Sequence, residues 1–535
     1  MKIYLNPYRL IENNENIILF IFFIGFLFIG LGIFKDYGVH WDEYTNQNLG
    51  MRSAEYFTNL KFSDFSHKGD RDLVRGATFE SFLFFMEKRI LKLNDLRDII
   101  LMRHLSVFLV FYAGVFFFYL LCKSFFKSWK IGLLGVLFLI LHPRIFANSF
   151  YNSTDISFLS LYTLSMYSLV KYLENKTFSR AGIHAILCGI LVGIRTIGFI
   201  VPLGTFIFIA VDLLRFRKDR EEVKKVIKSI LLYLVLLAIF TILFSPVLWG
   251  NPIKGFFHMF KSTQYRTKPP SEWDYHFRWL RKSWYYNFKW ILLTTPLLYS
   301  FYFCMGLIVF LISLFRKSMH SFSYKLNVLL IIFLFFAPIM LPIILKVGLF
   351  DEWRHHYFIY PCFVMLLLIG LSFSSEYIKL KFQGQSRKII NLAFILTTVF
   401  SLINTIQFMI RYHPHQYIYA NILAGRDMSR AKVNFALDYW GLSYRKALEY
   451  ILKNDKSSII KVCVANLPGK NNANILLLKD RNRLIYVENP DEAEYFLSNY
   501  RMHKGGYPYR DEYYSLKIGE TKYMVVYKLS DKGRP

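Results

Sequence analysis

Four short polar stretches of this 535-residue chain hold side chains whose type and setting could support chemistry. The first reads Gly38-Val-His-Trp-Asp-Glu-Tyr-Thr and directly follows an apolar run, so Asp42 and Glu43 lie a few residues beyond it. Adjacent carboxylates on a short loop point in different directions, which fits poorly with two acids spanning one glycosidic bond. One of them could serve as a general base, taking the proton from a hydroxyl as it attacks. On these local residues alone, an ordinary solvated acidic pair near a helix end is the better account.

The second stretch, His142-Pro-Arg-Ile-Phe-Ala-Asn-Ser-Phe-Tyr-Asn-Ser-Thr-Asp155, begins at a helix-ending proline and closes on an acid that opens the next apolar run. Asp155 in that place could be a plain helix N-cap or a site acid that holds an acceptor or orients a base. The third is Arg195, in the tight turn Gly193-Ile-Arg-Thr-Ile-Gly, and the fourth is Asp351-Glu-Trp-Arg-His-His-Tyr-Phe, with Arg354 and His355. Charges at the edge of a bilayer are costly unless paired or functional. An arginine fork matches two phosphate oxygens, which makes Arg195 and Arg354 candidate phosphate contacts. Pairing with carboxylates such as Asp351 or Glu352 explains them about as well. His142, His356 and His413 show no spacing tied to a metal pattern, so packing or headgroup contact is the simpler role.

The elements that must position these groups are apolar runs. With 54% hydrophobic and 19% aromatic residues, the chain contains many stretches long enough to cross a hydrocarbon layer of about 30 Å. They lack the alternation of barrel strands, so they are expected to be helices. Candidate spans cover 17–34, 100–122, 131–149, 156–173, 181–194, 197–214, 229–248, 291–315, 326–346, 357–373 and 389–410, and the short 181–194 run could begin several residues earlier. The first run, with Lys2 and Arg9 before it and no small-residue cleavage site after it, reads as an uncleaved span.

Lys and Arg collect in alternate connectors: 1–16, 123–130, 174–180, 215–228, 316–325 and 374–388 carry from two to seven each. The short connectors between them hold one each, namely Arg144, Arg195 and Arg354. By the positive-inside rule the N-terminus is cytoplasmic, and an odd number of spans puts the C-terminal region outside. The net charge of +29 then reflects topology and lipid headgroups, not nucleic acid. Beyond Arg411 the pattern changes: helical spacing at Ser443–Lys453 precedes strand-like runs at Ile459–Val464, Arg483–Val487 and Tyr513–Val526, with a turn at Gly519–Glu520. This predicts a transmembrane domain over 1–410, with an outer loop at 35–99, and a small extracytoplasmic α/β domain over 411–535. Cys122, Cys188, Cys304, Cys362 and Cys463 suit neither a zinc site nor a disulfide framework.

The order of motifs resembles a known superfamily. It is carried by Trp41-Asp42-Glu43-Tyr44, His142-Pro143-Arg144 with Asn152-Ser-Thr-Asp155, and Phe350-Asp351-Glu-Trp-Arg354-His355. His413-Pro-His-Gln-Tyr417 and Asp438-Tyr-Trp-Gly-Leu-Ser-Tyr444 extend it. Over residues 17 to about 450 the chain is similar to the GT-C superfamily, integral membrane glycosyltransferases that use lipid-phosphate-linked sugars. Within it the chain most resembles bacterial glycosyltransferase family 39-like proteins, relatives of protein O-mannosyltransferases and of the lipid A aminoarabinose transferase.

The resemblance implies a GT-C-like polytopic helical membrane protein of a bacterial-type inner membrane. In it Asp42 would be the catalytic aspartate, Glu43 its catalytic neighbour and Asp155 a second site acid. Arg144, Arg195, Arg354 and His355 would contact the donor phosphate. The implied reaction is inverting transfer from a polyprenyl-phosphate-linked sugar to a hydroxyl of a glycan, lipid or protein acceptor, with membrane lipid as the surroundings. Loop 249–290 is too short for the inserted outer domain with which protein O-mannosyltransferases recognise proteins. No cofactor is implied with certainty, a divalent metal stays open, and no metal ligands are assigned. A transporter or flippase of a lipid-linked or anionic solute is the alternative, though its expected half-repeats and charges within spans are not evident. A non-catalytic assembly or receptor protein, binding through its C-terminal domain, is a third reading.

Overall fold

A computed structural model of the chain describes residues 14–59, 76–215, 220–264, 284–315, 322–345, 351–425, 428–434, 436–501 and 505–529, together with 347, 349 and 503. Lys2, Arg9, Phe350, residues 60–75 of loop 35–99 and residues 265–283 of loop 249–290 lie outside the described residues.

Each apolar run carries a helix. The chain begins with α1 (Glu15–Ile33), and the connector after it contains α2 (Glu43–Asn59) and α3 (Thr78–Phe85). Next come α4 (Leu96–Phe126), α5 (Trp129–Ile140), the short α6 (Pro143–Asn148), α7 (Ser153–Glu174) and α8 (Phe178–Ile194). They are followed by α9 (Ile200–Arg215), α10 (Arg220–Phe244), α11 (Pro252–Gln264), α12 (Tyr286–Thr294) and α13 (Leu297–Phe315). The bundle closes with α14 (Phe322–Ile344), α15 (Tyr360–Lys381) and α16 (Gly384–Arg411). Eight helical segments among the described residues, those at α1, α4, α9, α10, α13, α14, α15 and α16, are long and apolar enough to cross a membrane. The apolar helices α5 and α8 are shorter. The chain is a multi-pass membrane protein.

Three of the expected spans are broken at prolines, and in the 229–248 run the α-helix ends at Phe244 before a short 3-10 turn that starts at Pro246. The 131–149 run stops at Ile140, and the chain turns through His142 before starting α6 with Pro143 at its first position. The His142 ring accepts a hydrogen bond from the Ile145 N–H at 3.4 Å and so caps that helix. The 291–315 run is divided at Pro296 into α12 and α13. A proline has no N–H to continue a helix but fits the start of a new one.

Helix α7 lies inside the bundle, most of its residues buried. Two of its hydroxyls are absorbed within the helix: Ser160 donates to the Ile156 carbonyl at 2.9 Å and Thr163 to that of Leu159 at 2.8 Å. Such back-bonding satisfies a hydroxyl where water is absent. Helices α13 and α15 approach so closely that a side chain at Gly306 would strike the Leu366 carbonyl, and one at Gly370 the Tyr302 carbonyl. Contact between small residues replaces the hydrophobic drive that lipid cannot supply.

The C-terminal part opens with α17 (Tyr444–Asn454) and forms a five-stranded sheet from β1 (Ile460–Val464), β2 (Leu484–Tyr486), β3 (Tyr495–Ser498), β4 (Glu512–Ile518) and β5 (Thr521–Lys528). The strand order is β2-β1-β3-β5-β4. Strand β1 is parallel to both β2 and β3, whereas β5 is antiparallel to β3 and β4. Gly519, at φ +57, and Glu520 make the expected hairpin turn, and β3 is a strand the sequence pattern did not reveal. The sheet is tied back to the bundle. Asn472 accepts from the Val39 N–H at 2.8 Å and donates to the carbonyls of Val39 at 2.9 Å and Gly441 at 3.0 Å.

Replacing Gly370 with leucine should lower the melting temperature of the detergent-purified protein, at a cost of about 1–3 kcal/mol or more from overpacking. Gly25→Leu, where nothing lies near an added Cβ, should leave the melting temperature unchanged.

Candidate active site

The expected site residues come from four separate stretches, and most of them meet at one end of the helices. Asp42 immediately precedes α2, and its carbonyl accepts the Asn46 N–H at 2.8 Å. A carboxylate is favoured there by the partial positive charge of a helix start. Its side chain is 43% exposed, whereas that of Glu43 is 3% exposed, so the two acids do point apart.

Asp155 sits in the first turn of α7, but Asn152 is the helix cap, its side chain accepting the Asp155 N–H at 3.0 Å. The Asn152 amide also donates to Asp155 Oδ2 at 2.7 Å. Relieved of capping, the fully buried Asp155 carboxylate pairs with Arg195 through Oδ1 and lies 3.5 Å from Arg354 through Oδ2. Arg195 follows α8 directly, and its guanidinium is also 3.5 Å from the His355 carbonyl.

Arg354 is the hub. Its Nη2 lies 3.3 Å from Asp42 and 3.5 Å from Asp351, while Nη1 faces Asp155. The guanidinium also lies over the Trp440 ring, 4.6 Å from its centroid, a cation–π contact strengthened by burial. Trp440 is positioned in turn by its indole N–H, which donates to Asn148 Oδ1 at 3.2 Å. The loop carrying it wraps around buried Asp438, which accepts from the Tyr417 hydroxyl at 2.6 Å, the Gly441 N–H at 2.9 Å and the Ser443 hydroxyl.

Arg144 is placed differently. It is buried in α6, paired with Glu352, and donates through Nε to the Tyr419 carbonyl at 2.6 Å. The arginines are therefore held by carboxylates, and Arg195 and Arg354 share Asp155. His355 enters the network through its backbone carbonyl. The three histidines weighed as ligands lie apart: His142 is 3.3 Å from the Thr295 hydroxyl, His356 faces the Pro338 carbonyl at 3.2 Å, and His413 pairs with Asp36 at 2.7 Å. Among the described residues no three or more His, Cys, Asp or Glu side chains are grouped to hold a metal ion, and the five cysteines are unbridged.

A second buried network, which sequence reasoning missed, anchors the first loop. Glu43 pairs with Arg103 at 2.5 Å and with His40 at 2.9 Å, and Arg103 also pairs with Glu80, which accepts from the Ser153 hydroxyl. Arg103 within an apolar run was the available signal, since a charge there demands a partner. Burial pushes the Glu43 carboxyl up, but the Arg103 guanidinium and the His40 hydrogen bond outweigh it and hold the pKa well below the usual range. A depressed folded-state pKa stabilises the fold above the unfolded value of about 4.3, and that contribution fades as the pH falls toward the folded one.

Arg103→Met, which leaves two buried carboxylates without their cation, should cost about 3–5 kcal/mol, read as a lower melting temperature at neutral pH. The stability advantage of the native chain over Glu43→Gln should be full near neutrality and shrink between about pH 5 and pH 3. A difference that stays constant across that interval would contradict the assignment.

Residues 79–254 match the family model described as dolichyl-phosphate-mannose-protein mannosyltransferase. The matched segment contains Glu80, Arg103, Arg144, Asp155 and Arg195, and it supports the resemblance to GT-C membrane glycosyltransferases. No curated protein matches the chain. Among solved structures, ArnT from Cupriavidus metallidurans bound to undecaprenyl phosphate aligns at 10% identity and a TM-score of 0.45, over 98% of this chain and 99% of that one. The apo form of the same protein aligns at 10% identity and a TM-score of 0.46, over 96% and 98%.

Proposed function

We propose that this chain is a membrane glycosyltransferase that moves a sugar from a polyprenyl-phosphate-linked donor to an acceptor hydroxyl, on the membrane face opposite the N-terminus. The observation that carries the reading is the Asp42 carboxylate, partly open to solvent, 3.3 Å from Arg354 in a cluster that also holds Arg195. A carboxylate that would serve as base and guanidinium groups that would match a phosphate thus lie together at the end of helices suited to a lipid environment. The family match over 79–254 supports the same chemistry, since its description names a lipid-phosphate-linked sugar as donor.

In the proposed reaction the acceptor oxygen attacks the anomeric carbon and Asp42 takes its proton. The bond from that carbon to the phosphate oxygen breaks, its electron pair leaves with the polyprenyl phosphate, and the configuration inverts. Charge grows on the phosphate as the bond breaks, and fixed guanidinium groups stabilise it without reorganising. The contacts of Arg354 to Asp42, Asp155 and Asp351 are long, at 3.3–3.5 Å, so a donor phosphate could compete for its N–H groups. Asp155 keeps Arg195 and Arg354 side by side. Glu43, committed to Arg103 and His40, supports the loop that carries Asp42, and Arg144 supports the turn that carries Arg354. His355, the residue after Arg354, would be a further contact to the donor phosphate.

The decisive experiment incubates membranes holding the chain with a panel of radiolabelled polyprenyl-phosphate sugars. Asp42→Asn should lower kcat by about 10²- to 10⁴-fold, as expected for loss of a general base. Full transfer by that variant would eliminate Asp42 as the base.

Orientation is testable separately. In a variant lacking the native cysteines, Met51→Cys on α2 should react with a membrane-impermeant maleimide in intact cells. Labelling only after permeabilisation would place the cluster on the cytoplasmic side and end the topological part of the proposal.

A further inference from the structure

We infer that Arg501, in the loop after β3, is a positioning residue for the cluster, holding the turn that carries Arg354 against the loop that carries Asp42. The sheet and the bundle would then build the site jointly, an inference that rests on the proposed glycosyl transfer only for its catalytic consequence.

Arg501 is charged yet 7% exposed, and three contacts of its guanidinium lead toward the cluster. Its Nη2 lies 3.1 Å from Asp351 Oδ1, Nη1 donates to the Tyr439 carbonyl, and its guanidinium sits 5.1 Å from the centre of the Trp41 ring. Asp351 reaches Arg354 with its other oxygen. Trp41 is the residue before Asp42, and Tyr439 the residue before Trp440. One guanidinium therefore holds the residue before the base, the residue before the ring beneath the hub arginine, and a carboxylate that pairs with that arginine.

The turn it holds needs holding. Asp351 and Glu352 are consecutive non-glycine residues at φ +51 and +64, a left-handed region that is costly for side chains with a Cβ and persists where surroundings enforce it. Each carboxylate is tied to an arginine distant in sequence: Glu352 to Arg144 and Asp351 to Arg501. With Arg501 removed, Asp351 keeps, among the described residues, its longer contact to Arg354. The turn can then relax, and the direction of Arg354 changes with it. Arg501 is itself presented by Tyr500, also left-handed at φ +58, whose ring lies 3.3 Å beneath the Lys432 ammonium. A lysine at 501 could retain the ion pair but not the planar fork that reaches carboxylate, carbonyl and ring together.

The test compares amide hydrogen exchange of the full chain, Arg501→Gln and Arg501→Lys in the same detergent. Peptides covering Gly38–Tyr44 and Asp351–Phe358 should exchange about fivefold faster in Arg501→Gln, with Arg501→Lys intermediate and α4 unchanged. Unchanged exchange in both segments overturns the inference. So does uniform acceleration through sheet and bundle, which would mark Arg501 as a general stabiliser. In the transfer assay, Arg501→Gln should lower kcat about 10- to 100-fold with the acceptor KM retained, and this loss should not add to that of Arg354→Lys. Full additivity would mean that Arg501 does not act through Arg354. The exchange readout needs no turnover, so a native chain inactive on every donor would count against glycosyl transfer and still leave Arg501 decided.

Discussion

A guanidinium held among three carboxylates at the end of a helical bundle is the arrangement on which the rest of the site depends. Burying a charge is expensive, and it becomes tolerable only when the charge is paired and its hydrogens are engaged. Arg354 meets that demand with Asp42, Asp155 and Asp351, drawn from three separate segments, and with the Trp440 ring on one side. Each partner must arrive at the right place for the others to be satisfied. The break at His142-Pro143, the Asn152 cap on α7 and the Asp438-centred loop all serve that arrival.

The two adjacent acids of the first loop illustrate how one dipeptide divides its work. Glu43 turns inward to a pre-paid cationic partner and becomes part of the scaffold, while Asp42 faces the solvent side of Arg354. Had both turned the same way, one carboxylate would repel the other near a low-dielectric boundary. The start of α2 enforces the split, since consecutive residues entering a helix project about 100° apart.

Much of this was legible in the residues. Apolar runs of bilayer length become helices because the backbone has no other partner there, and the turn at Gly519–Glu520 announced its hairpin. Pro143 and Pro296 broke two runs that hydropathy alone joined, because a window average does not register a missing N–H. Strand β3 escaped notice because it is four residues long and buried throughout, with no alternation to reveal it. In the site, Asp42, Asp155, Arg195 and Arg354 were visible as polar residues flanking apolar runs. The partnership of Arg103 with Glu43 and Glu80 was not, since it joins segments through folding rather than spacing. Arg501 lies 150 residues from Asp351 along the chain, and no local pattern can announce a contact of that kind.

The composition of the cluster has an electrical consequence. Arg195, Arg354 and Arg501 face Asp42, Asp155 and Asp351, so with all six ionised the resting group is neutral. In the proposed reaction a phosphodiester with one negative charge becomes a phosphomonoester approaching two, while the base changes from an anion to a neutral acid. The two changes offset each other, and the total charge at the site is the same before and after the bond breaks. While Asp42 holds the captured proton the six groups carry one net positive charge, which helps to retain the phosphate, and loss of that proton restores their neutrality and loosens the hold on the departing lipid.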